Sequence, residues 1–366
     1  HLSLRRQRQM CIRDRYRILS VLKTVYGLIN YENSIPKSVQ EKDDFYQGVN
    51  NEQTPLKIFQ PNNPNGSILI LYPGASAKGE NHPKLVTLAR SLSVNGVKVF
   101  LPRIPHLIDL RLSEDILFWT VHFYKWVFNN FGKENNHINL AGISFGGIIV
   151  LKSCLDPFLL KNKPNSVLVF GTSYDAKTSM EFMYSGKITF NKEEIKIKPD
   201  PWSVIVILHN YLSHIDAGYN TKKIEKALKF LIYEKYEKFE EAINNLKDHE
   251  KNLIDDTMDL NNSNELKIII DIILNECSDK IDFFSAKKWC SKIPNNIFII
   301  HGKNDSLSPF TESIKLDNKL QNSSLLITEL FEHRDISNKI SIFTKFKEIF
   351  KIGNFLSKYY IMILNL

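Results

Sequence analysis

The chain has 366 residues, a net charge of +8, 43% hydrophobic residues and 24% charged residues. This composition supports a substantial apolar core and excludes a disordered or fibrous protein. No run of about 20 apolar residues is present, so no membrane-spanning helix is predicted. The four cysteines (Cys11, Cys154, Cys277 and Cys290) form no CxxC pair. Neither a disulfide framework nor a metal site is therefore predicted, and a reducing, cytoplasmic compartment is expected.

The positive charge is distributed unevenly along the chain. Six of the ten arginines lie in the first 17 residues, and elsewhere lysines are interleaved with glutamates, as in residues 233–241. Interleaved charges are typical of a solvated helix face, so no nucleic-acid partner is predicted. Because residues 1–15 differ in composition from the Lys-, Asn- and Ile-rich remainder, we interpret them as a non-native or disordered extension.

Hydrophobic periodicity predicts alternating strands and helices along most of the remaining chain. The predicted strands are 67–72, 97–101, 138–143, 166–170, 296–301 and 325–331. The predicted helices are 16–29, 83–95, 113–131, 145–155, 309–320 and 336–350. The continuous apolar run SILILY at 67–72 is typical of a strand that is buried on both faces. The alternation indicates βαβ units and a mostly parallel sheet that is flanked by helices.

A helical insertion at residues 172–292 interrupts this alternation. Its apolar segments 201–209, 227–232 and 266–274 could line an acyl-binding cavity or pack on one another. We divide the chain into an extension (1–15), a core (16–171 and 293–350), the insertion (172–292) and an apolar C-terminal tail (351–366). The tail could dock on the core, touch a membrane peripherally, or precede further sequence.

One motif indicates chemistry: Gly142-Ile-Ser144-Phe-Gly146 stands between a predicted strand and a predicted helix. A nucleophile on a sharp strand-to-helix turn adopts strained backbone angles, and side chains two residues away would collide, so glycines flank it. The start of the helix also directs free N–H groups towards an oxyanion that forms beside the serine. A glycine-rich turn with a capping serine would give the same five residues.

Two residues further along the chain complete the chemistry that such a serine needs. Serine hydrolysis requires a base for the hydroxyl proton and a carboxylate that orients the base, in the chain order Ser, acid, His. Asp305 follows the strand 296–301, in the loop His301-Gly-Lys-Asn-Asp305. His333 is the one histidine after Asp305, and it follows the last predicted strand.

With these residues the chain resembles an α/β-hydrolase-fold serine hydrolase, from about residue 55 to residue 350 apart from the insertion. The resemblance implies the α/β-hydrolase fold with a helical cap inserted after the sixth strand. It implies that Ser144 is the nucleophile, His333 the base and Asp305 the acid. It also implies a carboxylesterase-like enzyme that acts on a small-molecule ester or acyl substrate, without a cofactor. We expect lipophilic or medium acyl groups because the insertion is apolar.

The oxyanion hole departs from the family pattern. One donor should be the N–H of Phe145, directly after the nucleophile. The other should come from the loop after the strand 67–72, where family members often carry His-Gly-X. This chain has Pro73-Gly74-Ala75, so proline replaces the histidine. Ala75 is the expected second donor and Gly74 the reserve.

Several alternatives remain open from the sequence. Asp175, just after the strand 166–170, could supply the acid in place of Asp305. The same three residues could serve a peptidase or a thioesterase, or the chain could be a catalytically silent binding module of this fold. No stable membrane insertion is expected, and the sequence does not determine an oligomeric state.

Overall fold

The computed structural model describes residues 2–132, 137–260, 263–333 and 341–364, without the side chains of residues 2–14 and 342. Its strands are β1 (Val39–Gln47), β2 (Gln53–Pro61), β3 (Ser67–Tyr72), β4 (Lys98–Pro102), β5 (His137–Ile143), β6 (Val167–Phe170), β7 (Lys187–Phe190), β8 (Glu193–Lys196), β9 (Ile297–Gly302) and β10 (Ser323–Thr328). Its α-helices are α1 (Leu2–Asn30), α2 (Pro83–Ser93), α3 (Pro105–Ile108), α4 (Asp115–Phe131), α5 (Phe145–Ser153), α6 (Pro157–Lys161), α7 (Ala176–Ser185), α8 (Pro201–Tyr211), α9 (Lys222–Ile232), α10 (Tyr236–Asn244), α11 (Asp248–Asp259), α12 (Asn264–Glu276), α13 (Ser278–Phe283), α14 (Phe310–Asp317) and α15 (Ile342–Ile363).

Within the described residues, eight strands form one sheet in the order β1-β2-β4-β3-β5-β6-β9-β10. Strand β2 runs antiparallel to β1 and to β4, and the other neighbouring strands are parallel. The predicted α/β class with a mostly parallel sheet is therefore confirmed. All six predicted strands belong to this sheet, whereas β1 and β2 were not predicted. Strand β1 is charged and lies at the sheet edge, as charged edge strands often do.

Helices cover both faces of the sheet, and β3 shows this most clearly because all six of its residues are buried. Ile68, Ile70 and Tyr72 pack into a core with α4 and α5. Leu69 and Leu71 point to the opposite face and pack with α1, α2 and α15. Side chains alternate between the two faces of a strand, so a fully apolar strand needs a cover on each side.

The segment between β6 and β9 contains the helices α7 to α13 and also the hairpin β7–β8, which the sequence did not predict. Asn191 and Lys192 make the hairpin turn with φ of 52° and 69°. Two positive φ values suit a two-residue hairpin turn, but Asn-Lys is a weaker sequence signal than Asn-Gly. The helices α8, α9, α11 and α12 share an apolar cluster of their own, which includes Leu208, Leu228 and Ile270.

Residues 351–363 do not form the expected separate tail. They belong to α15, which continues through residue 351 as one helix and ends at Ile363. Phe355, Tyr359 and Tyr360 are buried against the sheet and its neighbouring helices. The Ser67 hydroxyl donates to the carbonyl of Ile363. Of the three alternatives for the C-terminal tail, the structure shows the first, because residues 352–363 pack on the core. The N-terminal helix is also longer than predicted, because α1 begins at Leu2 and includes residues that the sequence analysis set aside.

Candidate active site

Ser144 occupies the sharp turn between β5 and α5 with a φ of 54°. A positive φ is unfavourable for serine, so the fold holds this residue in a strained conformation. The Ser144 N–H donates to the carbonyl of Phe170 at 2.7 Å, and the Ser144 carbonyl accepts from the N–H of Gly147 at 2.9 Å. These bonds fix the turn between β6 and the first turn of α5.

The two flanking glycines are required by close backbone contacts. A Cβ atom on Gly146 would lie 2.2 Å from the carbonyl oxygen of Pro73. A Cβ atom on Gly142 would lie 2.6 Å from the carbonyl oxygen of Gly146. Both distances are too short for a side chain. Gly146 is therefore required by the loop after β3 and Gly142 by the turn itself, which together give the spacing Gly-x-Ser-x-Gly.

Asp305 and His333 are brought together in the structure. Nδ1 of His333 lies 2.6 Å from Oδ2 of Asp305, in the geometry of a charge-assisted hydrogen bond. The other carboxylate oxygen of Asp305 accepts from the N–H groups of Leu307 and Ser308, both at 2.8 Å. Asp305 is completely buried, and the His333 side chain is 9% exposed. The carboxylate is therefore held by the backbone on one side and presented to the imidazole on the other.

Two opposing effects determine the pKa of Asp305. Burial raises it, but the His333 charge, the hydrogen bonds from His301 and His333, and the charge of His301 together outweigh burial. The net result is a pKa well below the usual carboxyl range. Asp305 is consequently ionised at neutral pH.

This lowered pKa predicts an acid-sensitive contribution to stability. A carboxyl whose folded pKa lies below its unfolded value stabilises the fold above the unfolded pKa, near 4, and loses that contribution as the pH falls towards the folded pKa. We expect the free energy of unfolding of the wild type to exceed that of Asp305→Asn at pH 7. The difference should shrink below about pH 4, by up to ~1.4 kcal/mol per pH unit.

Urea denaturation of both proteins between pH 7 and pH 3 measures this difference. Asp255→Asn, at an exposed position within α11 and beyond its first turn, provides a control that should follow the wild type throughout. A difference between the wild type and Asp305→Asn that remains constant across this range would contradict the prediction.

His301 is a buried neighbour of the pair that was not predicted as a site residue. It is the fifth residue of β9 and completely buried. Its Nε2 atom lies 3.4 Å from Oδ2 of Asp305 and 3.0 Å from the carbonyl of Ser308. Its Nδ1 atom lies 2.6 Å from the hydroxyl of Ser313. A histidine within an apolar strand run such as NIFIIH is the one signal that could have indicated a buried polar role.

The structure places Asp175 elsewhere. Its carboxylate accepts from the N–H of Lys177 at 3.1 Å, at the N-terminus of α7, and pairs with Lys287 at 2.5 Å. Among the described contacts, the carboxylate that bonds to His333 is that of Asp305. Asp175 therefore acts as a helix cap in this arrangement.

Ser144 and His333 both line one cavity, which has a volume of about 550 Å³. Gly74, Ala75 and Phe145, the expected oxyanion positions, line the same cavity. A Cβ atom built on Gly74 would lie 3.2 Å from Cβ of Ser144, so the loop after β3 runs directly beside the nucleophile. Phe145 is the first residue of α5, so its N–H has no partner within the helix.

The insertion contributes apolar side chains to the lining of this cavity. They include Met180 and Met183 of α7, Trp202 and Val206 of α8, and Phe284 after α13. Thus α8 both packs within the insertion and faces the cavity. By contrast, α9 and α12 lie among the packed helices of the insertion.

In the described part of the chain, no group of three or more metal-ligating side chains is placed to hold a metal ion. Likewise, none of its helices is both long enough and apolar enough to cross a bilayer.

The chain is similar to several proteins whose structures have been solved. No family model and no curated protein sequence matches the chain. An esterase from Pyrococcus furiosus is 12% identical, with 88% of this chain and 92% of that chain covered at a TM-score of 0.47. Est1E from Butyrivibrio proteoclasticus is 10% identical, with 90% and 100% covered and a TM-score of 0.46. Proline iminopeptidase from Mycobacterium smegmatis is 11% identical, with 89% and 99% covered and a TM-score of 0.45.

At such identities, structural similarity concerns the fold and carries no argument about substrate. The strand order, the antiparallel β2 and the strand–turn–helix at Ser144 themselves define the architecture. The chain has the α/β-hydrolase fold that the sequence predicted.

Proposed function

We propose that this chain is a serine hydrolase that cleaves carboxylic esters through an acyl-enzyme, with Ser144, His333 and Asp305 as nucleophile, base and acid. One observation carries the proposal: the histidine that lines the cavity with the strained Ser144 is held by a buried carboxylate at 2.6 Å. An ionised acid bonded to Nδ1 leaves Nε2 as the basic atom of the imidazole. That arrangement suits general-base activation of a neighbouring hydroxyl.

In the acylation step, Ser144 Oγ attacks the ester carbonyl carbon while Nε2 of His333 takes the hydroxyl proton. The carbonyl π bond breaks and its electron pair moves to oxygen, which gives a tetrahedral oxyanion. His333 then donates the proton to the departing alcohol oxygen as the carbonyl re-forms. In deacylation, His333 takes a proton from water as the water oxygen attacks the acyl carbon. The bond between that carbon and Ser144 Oγ then breaks, His333 returns the proton to Oγ, and the acid is released. Asp305 keeps the imidazole in the required tautomer and stabilises its positive charge.

Backbone N–H groups are the proposed stabilisers of the oxyanion. Phe145 offers the free N–H at the start of α5, and Ala75 offers the second from the loop that Gly74 holds against the nucleophile. Donors fixed in advance stabilise the developing charge without reorganising during the reaction. The proline at position 73 leaves these N–H groups in place, because its own missing N–H is not one of the proposed donors.

The apolar side chains of the insertion that line the cavity support a lipophilic or medium acyl group as the part of the substrate that they bind. A cavity of about 550 Å³ lies within the usual range for small-molecule sites. We infer that the insertion acts as a cap over the acyl chain. A reducing, cytoplasmic location is part of the same proposal, and the free, buried thiols of Cys154, Cys277 and Cys290 support it.

Covalent labelling tests the proposal directly. Intact mass after treatment with a fluorophosphonate should show one adduct on the wild type and none on Ser144→Ala. Ser203→Ala, which removes a different hydroxyl from the cavity lining, is the matched control and should label normally. Persistent labelling of Ser144→Ala, or a folded wild type that takes no adduct, would reject the serine mechanism. The second result would favour a binding module. Matched ester, amide and thioester substrates then decide among esterase, peptidase and thioesterase.

A further inference from the structure

The first half of α15 carries an exposed row of aromatic side chains. Phe343, Phe346 and Phe350 are 82%, 70% and 71% exposed, and their spacing of three and four residues puts them on one face of the helix. The opposite face holds Glu348 and Ile352, which are buried against the rest of the protein. Single exposed apolar side chains are common on proteins, but three phenylalanines on one face form a patch of the kind that marks an interaction surface.

A neighbouring helix, α1, adds a second apolar row. It packs against α15, because a Cβ atom on Gly353 would lie 3.9 Å from Cγ1 of Val21, and the hydroxyls of Thr24 and Tyr360 share a hydrogen bond. The row on α1 is between 58% and 68% exposed and consists of Ile18, Leu22, Tyr26 and Ile29. Both helices cover the same face of the sheet, so this face of the protein presents two exposed apolar rows.

The exposed charges of these two helices have one sign. Among residues 341–364, the single acidic residue is Glu348, which is 2% exposed and pairs with Lys351 at 2.6 Å. Residues 15–30 of α1 contain no acidic residue. The two segments carry exposed lysines at four positions: Lys23, Lys347, Lys351 and Lys358. Their described surface is therefore both apolar and positively charged.

The aromatic row lies at the carboxyl edge of the sheet. The Glu348 carboxylate accepts from the N–H of Glu329 at 3.1 Å, and Glu329 directly follows β10. At the other end of α15, the carbonyl of Ile363 accepts from the hydroxyl of Ser67, the first residue of β3. The helix thus runs from the carboxyl edge to the amino edge, and its aromatic half is at the edge where Ser144 follows β5.

We propose that the aromatic row of α15, together with the apolar row of α1, binds the surface of an anionic lipid bilayer. Helices that bind membrane surfaces combine apolar side chains, which enter the headgroup region, with lysines and arginines, which are attracted to anionic lipids. The exposed phenylalanines supply the first property, and the lysines beside them supply the second. The binding is peripheral, and the inference does not depend on the proposed ester hydrolysis.

A second copy of the chain fits this surface less well than a bilayer does. A twofold dimer brings the same surface of both subunits together. Lys347 and its neighbouring lysines would then meet lysines, and residues 15–30 and 341–364 offer no exposed acidic side chain to pair with them. Like charges that meet at an interface reduce affinity, whereas a bilayer that contains phosphatidylserine provides the opposite charge.

Vesicle co-sedimentation of the full chain tests the proposal. One set of vesicles is phosphatidylcholine alone, and the other contains about 30% phosphatidylserine. We expect the wild type to bind the anionic vesicles at least ~10-fold more tightly, and to lose most of this preference between about 0.1 M and 1 M salt. Phe346→Ser and Phe350→Ser should each weaken binding by at least ~10-fold, and Lys347→Glu by at least ~5-fold.

Two exposed positions elsewhere provide matched controls. Phe118 is 67% exposed on α4, which covers the other face of the sheet, so Phe118→Ser makes the same change away from the proposed surface. Lys238→Glu, at an exposed position on α10, makes the same change of charge. Both controls should bind vesicles as the wild type does. Because every variant keeps residues 1–15, any contribution of the arginines there is common to all of them.

Three results would overturn the inference. The first is a wild type that binds neither kind of vesicle, or binds both equally. The second is binding by Phe346→Ser and Phe350→Ser that equals binding by Phe118→Ser, since another surface would then be responsible. The third comes from light scattering: a dimeric wild type that becomes monomeric in Phe346→Ser would assign this face to a second copy of the chain.

Discussion

Ester turnover by Ser144→Ala and by His333→Ala is expected to fall by about 10⁶-fold in kcat, because nucleophile and base act as one unit. For the same reason, the double variant should be no slower than either single one. Asp305→Asn should lose about 10⁴-fold, since an amide neither fixes the tautomer of His333 nor stabilises its positive charge. Initial rates with a p-nitrophenyl ester, recorded beside the circular dichroism spectrum of each variant, measure these losses.

The non-additivity is the most informative part of this experiment. Independent contributions would multiply in the double variant, whereas a shared proton transfer leaves nothing more to lose. Asp175→Asn is the matched comparison for the acid, because Asp175 was the alternative candidate and its carboxylate contacts Lys287. A larger loss in Asp175→Asn than in Asp305→Asn would reverse the proposed assignment of the acid.

Glu312→Ala is expected to lower the free energy of unfolding by about 3 kcal/mol, because the substitution leaves several buried donors without an acceptor. Glu312 is 1% exposed, and its carboxylate accepts from the N–H groups of Tyr174 and Asp175 and from the Thr178 hydroxyl. Lys315, on the same helix, pairs with it at 2.6 Å. The loss should also loosen α7, whose residues line the cavity.

Urea denaturation at pH 7 measures this effect. Glu312→Gln keeps the volume and one acceptor oxygen, so it should lose less stability than Glu312→Ala. The exposed Glu240 on α10 gives the control Glu240→Ala, which should change stability by no more than about 0.5 kcal/mol. If Glu312→Ala were as stable as that control, the carboxylate would not hold the start of α7.

The sequence was most informative where local structure and chemistry impose the same pattern. The strand 67–72 was recognisable because a strand covered on both faces must be apolar throughout. The turn at Ser144 was recognisable because both flanking glycines face backbone oxygens at distances that no side chain allows. The pair of Asp305 and His333 followed from chain order, and the structure joins them by a hydrogen bond. Their catalytic roles remain a proposal that the kinetics above will test.

Features that depend on tertiary neighbours were not predictable. Glu312 and His301 look like ordinary polar residues in the sequence, and their burial arises only once α7, α14 and β9 meet. Strand β1 has few apolar residues, so its pairing with β2 gave no periodic signal. The helix α15 was divided at residue 351 because its second half is more apolar than its first. The structure shows that this second half is the part that packs on the sheet.

The position of the insertion has a consequence for how the protein folds. Strands β6 and β9 are neighbours in the sheet, although the whole insertion separates them along the chain. Ser144 precedes this long loop, whereas Asp305 and His333 follow it, so the reacting groups meet only after the loop has closed. Closing a long loop is entropically costly, and contacts distant in sequence form slowly. Because the insertion has its own apolar cluster, its early collapse would shorten the effective loop. A substitution in the part of that cluster that does not line the cavity, such as Ile270→Ala, should therefore slow the acquisition of activity during refolding.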